Sequence, residues 1–568
     1  MSASLAAPAS KRHIGGTLAA VAVGALLAWL VGYPLLVTAL EALGGLAHPS
    51  LDIFRALFHR PDEWLALWRS LWTSLASVAA AAALGVPLGF LFGRGDFPGR
   101  RTLAALLTLP VALPPLVGVM AFLFLWGESG FAARAVQAAF GLAEPPWRLA
   151  GWPAILLVHA YSFYVYFFLF TRAGLARLDP SQREAAAALG ASRWRTFYAV
   201  TLPALRPALA GASLLTFLTA LASFSAPYLF GGSFRVMTTQ IVASKLNGET
   251  ALSQVETVML AGLALLGLVG MRWIDRQGLA ATGVRGVAPA RVRLQSPLAR
   301  TVAGVLGWLL AAFLLLPHAV LLLVSFVPPF TWTTEPFPPV LELRNWAGLV
   351  SQSEKLRPVV NSLWMAAAST LAAVALGLAA ARLATARPVD GREPRWPWLS
   401  GVLEWLVAVP WAVPGTVFAI ALATTFGVSQ PWLGRFVLIG TPWILPLAYL
   451  VRNLPLTGRG SIAGLRGLDP ALEEAASSLG AGRWRRLSRV VFPLLRPAIA
   501  AGAGLAFITA LGDFVVSIVL YTFDTRPISI EILSSLRLQD LGTAAVYGVL
   551  LMTGSATAFL LWGRSEAR

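Results

Sequence analysis

The sequence predicts an all-α membrane protein with about twelve transmembrane helices, set out as two parallel six-helix repeats. Three observations carry this expectation. The 568 residues are 57% hydrophobic and only 12% charged, whereas an ordinary soluble domain carries about 25% charge. The apolar residues gather into runs long enough to cross a bilayer, which takes about 20 residues of helix. One polar stretch occurs twice at a constant offset of 290 residues, as LDPSQREAAAALGASRWRTFYAVTLPALRPA at 178–208 and LDPALEEAASSLGAGRWRRLSRVVFPLLRPA at 468–498.

The first apolar run, at about 15–40, follows Lys11 and Arg12. It is too long for the core of a cleaved signal peptide and reads as a retained signal-anchor. Further runs lie at about 70–92, 102–126, 151–171, 207–230 and 254–273 in the first half. The second half gives 301–326, 359–383, 399–426, 436–452, 497–521 and 543–563. Helix is required in these runs, because lipid offers the backbone no hydrogen-bond partner. The shortest run, 436–452, contains proline. The division that follows is 1–65 for the tail, first span and outer loop, and 66–273 for a first core. A linker follows at 274–299, a seventh span with its outer loop at 300–357, and a second core at 358–568.

Charge supports the same plan. Lys plus Arg outnumber Asp plus Glu by 44 to 26, a formal net charge of +18. When the loops are assigned to alternate sides, Arg94, Arg100, Arg101, both repeated stretches, the linker arginines and both termini fall on one side. The positive-inside rule makes that side the cytoplasm. A strongly basic chain can also bind nucleic acid, but basic residues confined to short loops between apolar runs argue against it. The absence of cysteine excludes disulfides, thiol catalysis and thiolate-bound metals. The five histidines have no HExxH spacing. Composition and spacing therefore suggest no metal bound by this chain.

The duplication extends past the polar stretches. SLWTSLASVAAAAALG from Ser70 matches SLWMAAASTLAAVALG from Ser362, and Pro110 and Pro114 match Pro410 and Pro414. Same-direction repeats imply a pseudo-axis along the membrane normal. Within the first polar stretch, Asp179-Pro180 predicts a capped helix start, with Gln182 as a capping-box partner. Gly190 predicts a left-handed stop. A second short helix is expected over 191–201, presenting Arg193, Trp194 and Arg195. Pro203 and Pro207 mark the return to the membrane.

The spacing Glu184-Ala185-Ala186, Gly190, Val200, Leu202-Pro203 resembles the EAA loop of ABC-importer permeases, and Glu474-Ala475-Ala476, Gly480, Val490 and Pro493 repeat it, with Phe492 in place of the usual leucine. The fused pair of halves is similar to ferric-iron-type permeases, with the thiamine type close behind. The resemblance implies the type I ABC importer permease fold in a bacterial inner membrane. It implies docking of a homodimeric cytoplasmic ATPase that holds the ATP and magnesium, and delivery of substrate by an extracytoplasmic binding protein. No cofactor is expected on this chain, and no P-loop is present. It also implies coupling contacts at Glu184 and Glu474 with their alanines, hinge or cap roles for Gly190 and Gly480, and docking support from Arg193 and Arg483.

Candidates for the translocation path come from polar or helix-breaking residues inside apolar runs. Asp513, placed in a predicted helix, has Ser223 as its repeat counterpart. His159 lies near Tyr161, Tyr164 and Tyr166, and Pro114 and Pro414 break their helices. His and Tyr suit iron by type, but a packed aromatic cluster is the favoured explanation, and residue type alone does not decide. Thiamine, phosphonate or polyamine are the alternative substrates. A proton- or sodium-coupled secondary transporter is a different class that places ionisable residues in its spans; here they are nearly absent beyond Asp513 and His159, and the repeated stretches would go unexplained. A membrane-embedded enzyme is a third, but no HExxH, GxSxG or paired-carboxylate motif appears.

Overall fold

The computed structural model describes residues 9–45, 48–279, 292–293, 296–332, 335–385, 397–428 and 436–566. The first half contains α1 (Leu18–Ala42), α2 (Pro61–Arg94), α3 (Arg100–Ala112), α4 (Pro115–Trp126), α5 (Gly151–Ala176), α6 (Pro180–Ala188), α7 (Leu202–Leu221), α8 (Met237–Leu246) and α9 (Thr250–Leu279). The second half contains α10 (Pro297–Val324), α11 (Ser353–Ala384), α12 (Pro397–Ala412), α13 (Gly415–Gly427), α14 (Ile444–Gly467), α15 (Pro470–Ser478), α16 (Phe492–Leu511), α17 (Ile528–Arg537) and α18 (Leu541–Glu566). A two-residue parallel bridge joins Gly95 to Val292 and Asp96 to Arg293. Most of the expected linker at 274–299 lies outside the described residues.

Among the described residues, ten helices are long and apolar enough to cross a membrane, or eleven if the bent pair α12–α13 counts as one span. The difference from twelve falls at 436–452. The helix there is α14, which starts later, runs further, and carries Arg452, Arg459 and Arg466. Its charges lower its hydropathy, yet it packs against α11, α12 and α16. A helix covered by other helices need not be apolar all round.

The contact units do not follow chain order. One gathers the N-terminal segment through Ser50 with Gln352–Glu531 and the chain from Thr553 on; the other gathers Leu51–Ser351 with Ile532–Met552. In the first of these units α1 packs on α12 and α13, with Trp29 edge-on to Phe426 at 5.5 Å. In the second, α10 packs on α3 and α4, with Trp126 against Phe313 at 5.8 Å. Each repeat's core is thus covered by the leading helix of the other repeat. The core of the second unit is built on Phe92, Phe122, Tyr164 and Phe168, joined by Ala311 and Leu314 of α10. Exposed apolar residues such as Leu265, Leu266, Val305 and Leu309 suit a lipid-facing surface.

Each repeat is pinned by the same two devices. A Cβ on Gly85 of α2 would lie 2.6 Å from Phe167 Cβ of α5, and one on Gly377 of α11 would lie 2.7 Å from Thr457 Oγ1 of α14. Only glycine permits so close an approach of two helices. Ser70 Oγ accepts the Met237 N–H at 2.7 Å, and Ser362 Oγ accepts the Ile528 N–H at 2.8 Å. These are the first N–H groups of α8 and α17, which have no partner inside their own helices.

Candidate functional site

The two polar stretches fold into the same elbow. Asp179 Oδ1 accepts the Ser181 N–H at 2.9 Å, and Asp469 Oδ1 accepts the Ala471 N–H at 3.0 Å. Pro180 and Pro470 occupy the first helical position. Gln182 takes no part in the cap. Gly190 and Gly480 have φ of +75° and +79°. The Ala191 and Ala481 amides bond back to the Ala186 and Ala476 carbonyls at 3.0 Å, a Schellman stop that favours glycine at the left-handed position. The expected helix over 191–201 is a short helix, Arg193–Thr196, capped by Ser192, and then a wide turn, Phe197–Thr201, which leads into α7. Pro203 lies in the first turn of the helix that follows, where its missing N–H costs nothing.

Glu184, Ala185, Arg193, Glu474 and Ala475 are exposed, while Ala186 and Ala476 are half-buried against their own elbows. The Arg483 side chain lies outside the described residues. Beside these, Leu189 and Leu479 are each 88% exposed, and Trp194 and Trp484 are 71% and 78% exposed. A leucine and a tryptophan are thus left in the open at matching positions of both elbows, an apolar spot on each. The exposed leucines are not among the residues the sequence reading singled out. Their signal was available, since both stand immediately before the helix-stopping glycine in each copy.

Beyond each elbow the returning helix breaks. α7 ends at Leu221 and α16 at Leu511. Asp513 therefore sits in the break and not within a helix, because its side chain satisfies backbone groups that a helix would satisfy itself. Its Oδ1 accepts the Val516 N–H at 2.9 Å, and its Oδ2 pairs with Arg452 Nη1. Its carbonyl accepts Ser517 Oγ at 2.6 Å and Ser529 Oγ at 2.7 Å. At the equivalent break, the Ser223 carbonyl accepts Thr238 Oγ1 at 2.7 Å, and Ser223 Oγ is bonded to His159 Nε2 at 2.9 Å.

His159 also bonds Ser77 Oγ through Nδ1 at 2.8 Å, so hydroxyls hold both ring nitrogens. Tyr161 and Tyr164 point away to the carbonyls of Leu314 and Leu107, each at 2.6 Å. The structure does not gather His159 and these tyrosines into a ligand set. Among the described residues no group of three His, Cys, Asp or Glu side chains is placed to hold a metal. Pro114 and Pro414 stand at breaks, with the chain bending by 110° between α12 and α13. A Cβ on Gly415 would lie 2.7 Å from Arg452 Nη1, so the guanidinium packs on this second break as well.

A further buried polar group went unread in the sequence. Glu63 at the start of α2 accepts Gln240 Nε2 at 2.9 Å, and Glu256 of α9 accepts Ser244 Oγ at 2.7 Å. Both carboxyl groups are buried, and they tie α8 to the ends of α2 and α9. The clue was a glutamate inside the apolar stretch VETVML.

Comparison with known proteins places these features. The sequence profile described as "Binding-protein-dependent transport system inner membrane component" matches residues 85–277 and again 373–568. The probable ABC transporter permease protein y4fN of Sinorhizobium fredii is 32% identical, over 82% of this chain and 81% of that protein. The ferric transport system permease protein FbpB of Actinobacillus pleuropneumoniae is 29% identical over 78% of this chain, which spans 63% of that protein's length. The thiamine transport system permease protein ThiP of Escherichia coli is 26% identical over 81% of each chain. With its profile matched twice, the chain belongs to the family of binding-protein-dependent inner-membrane permeases and is a multi-pass permease subunit of an ABC importer, carrying two fused copies of the permease domain.

Proposed function

We propose that this permease carries ferric iron, delivered by an extracytoplasmic binding protein, and is driven by two copies of one cytoplasmic ATPase. The observation that carries the second half of this reading is the matched pair of elbows. Each has the same cap, the same glycine stop and the same exposed leucine and tryptophan, so one ATPase surface can fit both. In this reading both elbows and both termini lie in the cytoplasm, as the positive-inside rule requires. Glu184 and Glu474, with Ala185, Ala186, Ala475 and Ala476, take the coupling contacts. Gly190 and Gly480 fix the elbow angle, and Arg193 and Arg483 support docking. ATP and magnesium belong to the ATPase.

Alternating access then follows from the elbows. Closure of the ATPases moves them, and each moves the helices to which it is joined. The cargo needs no resident site, since a passage that bound it tightly would slow its release. Iron is favoured by the ferric-type relative; thiamine is the competing cargo, supported by the relative matched over 81% of each chain. Neutralisation of Asp513 by Arg452 leaves no free carboxylate at that break for a coupling ion.

The test is co-purification with the ATPase encoded beside this chain. Wild type should retain two ATPase copies, and Glu184→Lys with Glu474→Lys should lose them or lose coupled hydrolysis. Uptake into vesicles with the cognate binding protein then compares ferric iron with thiamine. Uptake of thiamine and not iron would reject the cargo assignment, and absence of the ATPase from wild type would reject the coupling role.

A further inference from the structure

Chain continuity is not the only link between an elbow and the membrane helices. In the second half, Arg382 at the end of α11 donates from Nη1 and Nη2 to Glu473 Oε1 and Oε2 of α15, at 2.9 and 2.8 Å. Both side chains are partly withdrawn from solvent, and a two-pronged Arg–carboxylate pair fixes orientation as well as distance. In the first half the residue equivalent to Arg382 is Phe90, by the register that pairs Ser70 with Ser362 and Gly85 with Gly377. Phe90 of α2 packs on Phe197 of the elbow turn, with ring centroids 5.6 Å apart. The residue equivalent to Glu473 is Arg183, which lies close enough to Arg94 for the like charges to repel. An ionic link is therefore unavailable there, and an aromatic one stands in its place. The same position on the long helix joins the elbow in both halves, by two unrelated chemistries.

We propose that Phe90 and Arg382 are positioning residues of the transport cycle. Each latches its elbow to the long helix α2 or α11, so that ATPase motion enters that helix directly and not only through α7 or α16. The proposal rests on the coupling role given to the elbows above. A purely structural pair would stabilise the resting fold; a latch keeps elbow and helix moving as one body throughout the cycle.

The chain contains no cysteine, so spin labels can be placed at chosen sites only. Ser477→Cys with Ala375→Cys reports on the second latch, and the equivalent Ala187→Cys with Ala83→Cys reports on the first; all four positions are exposed. Distances are measured in the full complex with its ATPase, without nucleotide and trapped with ATP and vanadate. With the latches intact, each distance should be the same in both states. Arg382→Ala should make the second distance shift with nucleotide and leave the first fixed, and Phe90→Ala should do the converse. Arg382→Glu with Glu473→Arg should restore a fixed distance, as should Phe90→Leu. Raised salt should loosen only the second, because ions screen a partly exposed pair and not an aromatic contact.

A wild-type distance that shifts with nucleotide overturns the latch, as do alanine variants whose distances stay fixed. If the ATPase fails to join the wild-type chain, the coupling role itself fails, and that result is seen in the purification before any distance is read.

Discussion

At the helix break beyond each elbow, the two halves keep one main-chain contact and differ in side-chain chemistry. In the first half the three equivalent positions are Pro115, Ser162 and Ser223; in the second they are Gly415, Arg452 and Asp513. The second set holds together sterically and electrically. Arg452 neutralises Asp513, and Gly415 leaves room for the guanidinium. The first set carries no charge to neutralise, and Ser223 there bonds His159. The contact made by the main chain is unchanged: Thr238 bonds the Ser223 carbonyl and Ser529 the Asp513 carbonyl, both at 2.7 Å. The comparison teaches that the break is the retained feature and the ion pair is one way of holding it. A charged residue in a span invites a functional reading, but here its partners are those of a structural tie.

The largest expected effect comes from breaking that tie on one side. Asp513→Ala strands a poorly solvated guanidinium, which costs about 3–5 kcal/mol. A large fall in the thermal unfolding midpoint of the detergent-solubilised chain would report it. The decisive variant carries the first half's chemistry into the second, with Gly415→Pro, Arg452→Ser and Asp513→Ser together. It should recover most of the loss, because it removes the charge along with its partner. A triple variant as unstable as Asp513→Ala would mean that the charge itself does something the first half does not need.

A smaller effect tests what the halves share. Ser70→Ala and Ser362→Ala each leave a helix-initiating N–H buried without its acceptor, at about 1–3 kcal/mol apiece. The two losses should match, because the bonds match in partner and length. Hydrogen exchange at the Met237 and Ile528 amides should speed up in the corresponding variant and nowhere near the other serine. Unequal losses would show that one repeat depends on its tie more heavily than the other.

The elbows were readable in the sequence because their signals are local. Asp-Pro, the stopping glycine and the duplicated spacing act within about ten residues of one another, and each performs the expected backbone task. The breaks were only half readable. Pro114 and Pro414 announce themselves by chemistry, whereas Asp513 looked helical because the apolar run continues past it to residue 521. Arg452 was lost inside the weakest apolar run, where charge argues against a span unless neighbouring helices are known to cover it. Ser70 and Ser362 bond partners 167 and 166 residues away, a separation no periodicity encodes. The packing of α1 on the second repeat's core and of α10 on the first's was hidden for the same reason. Both faces are apolar, and apolar faces in a membrane do not name their partners.

The smallest expected effect is also the cleanest, because it isolates backbone conformation from packing. A Cβ on Gly190 or Gly480 would touch nothing within 4 Å. The cost of Gly190→Ala or Gly480→Ala is therefore only that of holding alanine at a positive φ, about 1 kcal/mol. Asparagine tolerates that region better than alanine, so Gly190→Asn and Gly480→Asn should fall between alanine and wild type. If the elbow must keep its angle to hold the ATPase, a 1 kcal/mol strain should weaken co-purification by about fivefold, and the two elbows should respond alike because their φ values differ by so little. If alanine and asparagine weaken binding equally, the glycine is needed for the room it leaves an incoming partner and not for its φ, and the elbow surface then extends across it from Leu189 to Trp194.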